Sequence, residues 1–224
     1  MSIIVFDTET TGVPKNYGRD PCSEANNWPD LVSLSWIVYK PDGSIFKRVS
    51  HIVRPNGWTI PADSTAIHGI THEEAVEKGA ILRDVLGMFR CDLLTCRLLV
   101  AHNMDFDVNV LRHALYWRVG VNPGPVFNIP LFCTMKTATA ELKLPAKNGG
   151  KGYKWPGLDE LYRATFGVEP PAGAHESLRD AEVCGAIYWK RWVNGASVVN
   201  SENGMKSETS GVSASTGEKR KREE

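Results

Sequence analysis

The chain has 224 residues, 26 basic against 26 acidic, with 42% of its residues hydrophobic; that length suits one core with roughly 30 residues to spare. Balanced charge sets it apart from strongly basic nucleic-acid-binding domains, so any basic surface must be local. The lack of an apolar run near the roughly 20 residues of a membrane helix, and an N-terminus that enters a strand without a secretion leader, point to an intracellular protein with no membrane partner.

Residues 3–12 read "IIVFDTETTG". Ile3, Ile4, Val5 and Phe6 have the character of a strand buried on both faces, with Gly12 marking its end. Asp7 and Glu9 emerge where it stops, and strand alternation points both to one side beside a low-dielectric core. Such a pair repels itself unless something positive binds, although the D-x-E pattern alone also suits a polar strand end turning into a loop.

A polar loop over 13–30, with Pro14, Pro21 and Pro29, leads to a strand at 31–39, "LVSLSWIVY". The stretch 42–53 opens on Asp42-Gly43, a turn signal that predicts an antiparallel hairpin. Thr71 and Glu74 form a capping box before a short helix over 72–78, and Leu82, Val85, Leu86, Phe89 and Leu93 repeat at helical spacing. "RLLVAHN", 97–103, is a second buried strand; a helix over 106–119 follows, then a short strand at 130–134. Leu158, Leu161 and Tyr162 mark a helix ended by Gly167, and the last helix runs over 177–193. Strands alternating with helices place the chain in the α/β class, with a mixed sheet flanked by helices.

From Gly195 onward the composition is Ser, Gly, Thr, Glu and Lys with almost nothing apolar, so a domain over 1–194 and a disordered tail over 195–224 are expected. The run Lys219, Arg220, Lys221, Arg222 suits either a nuclear address or a solubilising end. Cys22, Cys91, Cys96, Cys133 and Cys184 contain no C-x-x-C pair, so reduced thiols are expected. At 143–155, "KLPAKNGGKGYKW", Lys147, Lys151 and Lys154 precede Trp155. This is either a solvated flexible loop or an element that tracks a nucleic-acid strand, lysines on phosphates and an aromatic face on a base.

Two further polar clusters stand out. "AHNMDFDVNVL", 101–111, gathers His102, Asn103, Asp105 and Asp107 where the second buried strand meets a helix. If that strand runs parallel beside the first, these residues share the sheet edge where Asp7 and Glu9 emerge. "AHESLRDAEV", 174–183, sets His175 before the last helix and Asp180 in its first turns. Each cluster alone also suits a helix start dressed with favourable acids.

Taken together and in order, D-x-E, H-N-x-x-F-D and H-x-x-x-x-D resemble the DEDDh branch of the DnaQ-like 3′-5′ exonucleases, the group of the proofreading, RNase T and Trex types. "AIHGIT" at 66–71 and "KWPGLDELYRATFG" at 154–167 extend the resemblance over roughly 3–193. It implies an RNase H-like fold and hydrolysis of phosphodiester bonds at a free nucleic-acid 3′ end, releasing nucleoside 5′-monophosphates. It also implies two Mg²⁺ or Mn²⁺ ions on Asp7, Glu9, Asp107 and Asp180, with Asp7 bridging, Glu9 and Asp180 completing the site of the attacking water, Asp107 on the second ion and His175 as general base. Asp105 falls two places early for a ligand. Thr8, Thr10 and Ile70 are expected to hold the terminal nucleotide, with His102 and Asn103 supporting the site. DNA with single-stranded or frayed 3′ ends is favoured; an RNA exoribonuclease and a non-catalytic nucleic-acid-binding domain of the same fold are the alternatives. A homodimer, or a polymerase or repair partner, is compatible with the family.

Overall fold

The computed structural model describes residues 1–146 and 151–194. The tail, its basic run and Lys147 lie outside them. β1 (Ser2–Thr10), β2 (Leu31–Tyr39) and β3 (Ile45–Ile52) open the chain as two antiparallel pairs. The β2–β3 turn forms as its residues dictate: Gly43 takes a positive φ of 86°, and Asp42 Oδ1 accepts from the Ser44 amide and hydroxyl. β4 (Cys96–Ala101) lies parallel to β1, and β5 (Leu131–Cys133) parallel to β4. The five-stranded sheet therefore runs β3-β2-β1-β4-β5 and is mixed. β2 is buried along its whole length, whereas β3, at the edge, alternates.

Alternation along β1 feeds two cores. Ile4 and Phe6 point with Leu34 and Trp36 toward α3 (Leu82–Leu93) and α4 (Met104–His113). Ile3 and Val5 point with Ile37 and Tyr39 toward α7 (Ser177–Tyr188), meeting Ala181, Cys184 and Tyr188. Each large apolar side chain so buried contributes about 1.5–3 kcal/mol. α2 (His72–Lys78) begins on Thr71, whose hydroxyl accepts from the Glu74 amide. α6 (Leu158–Phe166) ends on Gly167 in the left-handed region. The five cysteines are unpaired. Among the described residues no helix is long and apolar enough to cross a membrane.

Two helices go beyond the sequence reading. α1 (Ala62–His68) buries Ser64 alone, and α5 (Thr134–Leu142) buries Thr134, Met135 and Ala138, so neither carries a large apolar repeat. Two long helices are also shorter than expected. The 106–119 segment divides into α4 and a π-helical stretch, Ala114–Val119, and the last helix gives way to another at Trp189–Asn194. Both wider turns carry tryptophans that reach distant acceptors, Trp117 the Pro21 carbonyl and Trp192 the Glu141 carboxylate.

Candidate active site

Asp7 and Glu9 continue the odd-numbered side of β1, the side Ile3 and Val5 bury against α7. Asp180 stands in the first turn of that helix. One carboxylate oxygen each from Asp7, Glu9 and Asp180 lies within 4.8 Å of the others.

Small residues on β2 let α7 approach so closely. The register sets Asp7 opposite Ser35 and Glu9 opposite Ser33, and the Ser177 hydroxyl lies 2.8 Å from Ser33 Oγ and 2.7 Å from Ser35 Oγ. Ser35 donates to Ser50, so Ser177 donates to Ser35 and Ser33 to Ser177. Each hydroxyl has one proton, and this ordering satisfies the buried trio.

Asp107 reaches the site from α4, buried, and its Oδ1 accepts from the Thr8 hydroxyl at 2.7 Å. Burial, and then repulsion from Asp107, Glu9 and Asp180, hold the Asp7 carboxyl well above the usual carboxylate range. Burial, then Asp180 and Asp107, push Glu9 up to about 8. Burial raises Asp107 to about 7 against the lowering effect of the Thr8 bond. Four acids so placed favour a cation or protons.

A cleft of about 530 Å³ opens over these carboxylates, bordered by Thr10, Ile67, His68, Asn103, Phe106 and Trp155. His175 lines it from an exposed position ahead of α7. His175 and Asn103 both take φ 65°, a region that non-glycine residues occupy at a cost of order 1–3 kcal/mol and that clusters at working sites.

Residues 4–188 match the model of the exonuclease family RNase_T. The chain belongs to this exonuclease family, of the DnaQ-like, RNase H-like kind. It is 29% identical to an uncharacterized exonuclease of Escherichia phage 186, over 80% of this chain and 82% of that protein. A DNA polymerase III subunit epsilon-like protein of Rhodobacter capsulatus is 32% identical over 50% of this chain but 14% of its own length. Escherichia coli exonuclease I in complex with a dT13 oligonucleotide shares the fold at a TM-score of 0.68 and 15% identity, over 89% of this chain. The chain spans less than half, 43%, of that solved structure.

The cleft gathers Asp7, Glu9, Asp107, Asp180, His175, Thr8, Thr10, Asn103 and Trp155. Asp105 is exposed and pairs with Lys136, away from the acidic cluster. Ile70 does not line the cleft; it packs against the cluster of Val32, Ile60 and Ala75, and Ile67 stands at the cleft instead. Lys151 is exposed, and Lys154 is paired with Glu160 at 2.7 Å. His102 is a strut. Its Nε2 donates to the Pro156 carbonyl at 3.1 Å, so Nδ1 accepts from the Thr134 hydroxyl, and burial lowers its pKa to about 4.

Sequence reasoning missed Arg179, which is 7% exposed. Its Nη1 donates to Asp159 Oδ1 and Asp180 Oδ1, each at 2.7 Å, and its Nε donates to the Pro171 carbonyl. The His175 amide donates to Asp180 Oδ2 at 3.1 Å. The buried serines were legible in principle, as two polar residues on one face of an otherwise apolar strand.

Proposed function

We propose that this exonuclease hydrolyses the terminal phosphodiester bond at the 3′ end of DNA, releasing a nucleoside 5′-monophosphate with the help of two divalent cations. The observation that carries the reading is the meeting of Asp7, Glu9 and Asp180 within 4.8 Å, with Asp107 tied to the same strand through Thr8, beneath a cleft of nucleotide size. The donor set is all carboxylate, which suits Mg²⁺ or Mn²⁺, and the raised pKa values of Asp7, Glu9 and Asp107 are those of acids packed for a cation. Bound there, such ions polarise the scissile phosphate, lower the pKa of the attacking water and offset charge on the leaving 3′ oxygen.

The chain's own residues do the rest. A ring nitrogen of His175, at the cleft mouth, takes the proton of the attacking water. Thr8 keeps the Asp107 carboxylate aimed, and Arg179 with the His175 amide fixes both oxygens of Asp180. Thr10, Ile67 and Asn103 border the space for the terminal nucleotide. The complex of exonuclease I with dT13 and the DNA polymerase III epsilon-like relative favour DNA over RNA.

Matched 5′-labelled DNA and RNA oligonucleotides, incubated with Mg²⁺ or Mn²⁺, test the reading. The expected result is a ladder that shortens from the 3′ end, mononucleotide 5′-phosphates as product, DNA faster than RNA, and silence in EDTA. Activity undiminished by EDTA would overturn it.

A further inference from the structure

Residues 11–30, between β1 and β2, form no helix or strand. Irregular connections longer than about 12–15 residues are uncommon in a compact domain unless they have a task. This one is fastened along its length. The Asn27 side chain accepts from the Asn16 amide and donates to the Asn16 carbonyl. Asn16 Oδ1 accepts from the Gly18 amide, and Arg112, His113 and Trp117 bond to Asp20, Ala25 and Pro21.

The fastened loop holds out an aromatic ring. Tyr17 is 62% exposed and lines the same cleft as the acidic residues. Its ring meets the buried Trp28 edge to face, 6.1 Å between centroids. Trp28 is anchored in turn by its Nε1 on the Arg19 carbonyl and by packing 6.1 Å from Phe106. Keeping a large apolar ring mostly in water beside a cleft, on a buried aromatic support, suits a face awaiting a flat partner.

Cations flank that ring. Lys15 and Arg19 are exposed, and neither side chain pairs with a carboxylate among the described residues. Three other cations are paired with acids: Lys136 with Asp105, Lys154 with Glu160, and Arg179 with Asp159 and Asp180. Lys15 also borders a second hollow, about 340 Å³, lined by Asn26 and Asn27 as well. Val13 borders both this hollow and the cleft, and so forms the ridge between them.

We propose that residues 13–19 form a binding rim for single-stranded nucleic acid. An unpaired base upstream of the terminal nucleotide stacks on Tyr17, and Lys15 and Arg19 neutralise adjoining phosphates as the strand crosses Val13 toward the polar hollow. A base already paired in a duplex cannot offer its face in this way, so the rim selects single strands. This inference rests on the nuclease reading of the cleft.

The test is fluorescence anisotropy of labelled oligo(dT), with Ca²⁺ replacing Mg²⁺ to hold turnover down. Tyr17→Ala should weaken binding by roughly 5- to 150-fold, the range for one lost base stack, and Tyr17→Trp should restore it. Lys15→Ala with Arg19→Ala should reduce the slope of log affinity against log salt by about 1.4, at about 0.7 per phosphate on a single strand. A blunt duplex should bind wild type and Tyr17→Ala alike. Unchanged oligo(dT) binding in Tyr17→Ala, or an equal loss for the duplex, would overturn the rim. Failure of wild type to hydrolyse thymidine 5′-monophosphate p-nitrophenyl ester would count instead against the nuclease reading, since that substrate has no strand to bind.

Discussion

Arg179 and Asp180, adjacent in sequence, hold each other through Nη1 and Oδ1 at 2.7 Å, and the same nitrogen reaches Asp159 on α6 at 2.7 Å. One buried guanidinium thus joins two helices to the loop that carries His175. Taking it away leaves two carboxylates facing each other without a cation, a loss of about 3 kcal/mol for a buried pair broken on one side. Arg179→Met should unfold earlier in urea and lower kcat at saturating Mg²⁺. Arg179→Lys, with charge but no fork, should recover part of each. Wild-type stability in Arg179→Met would contradict this role.

The carboxylates make stability depend on pH and metal together. Glu9 has a usual pKa of 4.5 and stands at about 8 in the folded chain. Between these values the folded state keeps a proton that the unfolded chain has released, so metal-free stability falls as pH rises from about 4.5 through about 8. At about 1.4 kcal/mol per pKa unit the loss from Glu9 approaches 5 kcal/mol. A divalent cation bound by these carboxylates would replace the proton and relieve the repulsion. The rise in Tm on adding Mg²⁺ should therefore be small at pH 5 and large at pH 8; an equal rise at both would show that the acids do not share a cation.

The serine trio gives a prediction at side chains that do not line the cleft. Ser177→Val removes the donor to Ser35 and the acceptor for Ser33 and adds bulk beneath α7. The cost of unpaired buried hydroxyls is about 1–3 kcal/mol. Ser177→Ala, which removes the bonds without adding bulk, should cost less and disturb kcat less, because Asp180 stays in place. Thermal melts and kcat of the two variants separate the effects.

Farther along α7, Gly185 lies against the Tyr39 hydroxyl, which a Cβ there would strike. Gly185→Ala should destabilise the α7 core by about 1–3 kcal/mol through overpacking. Tyr39→Phe removes the struck oxygen and should recover much of that loss in the double variant. Additive losses in the melts of the two variants would mean that the helix moves aside.

Strand alternation made the shared side of Asp7 and Glu9 legible in the sequence, and the H-N-x-x-F-D spacing of the family resemblance singled out Asp107 over Asp105. Asp7 and Glu9 are two apart on a strand and so share a face. Asp105 and Asp107 are two apart on a helix and so diverge, one toward Lys136 and one toward Thr8. Ile70, which the family resemblance set at the terminal nucleotide, packs outside the cleft lining, and α1 carries no apolar repeat that would have announced this stretch. With residues 62–68 helical and Gly69 reversing the chain, Ile67 comes to the cleft and Ile70 turns to Val32 and Ile60. The roles of Arg179 and Ser177 depend on which partners the register brings opposite, and that is settled by tertiary packing.

The most direct test of the central claim compares three proteins on two substrates. Wild type, Asp107→Ala and Asp105→Ala are each given a 5′-labelled linear strand and a circular single strand of the same composition, with Mg²⁺. Wild type and Asp105→Ala should shorten the linear strand from its 3′ end and leave the circle whole, and Asp107→Ala should do neither. Cleavage of the circle, or activity that survives in Asp107→Ala and is lost in Asp105→Ala, would contradict a 3′-end hydrolase built on Asp7, Glu9, Asp107 and Asp180.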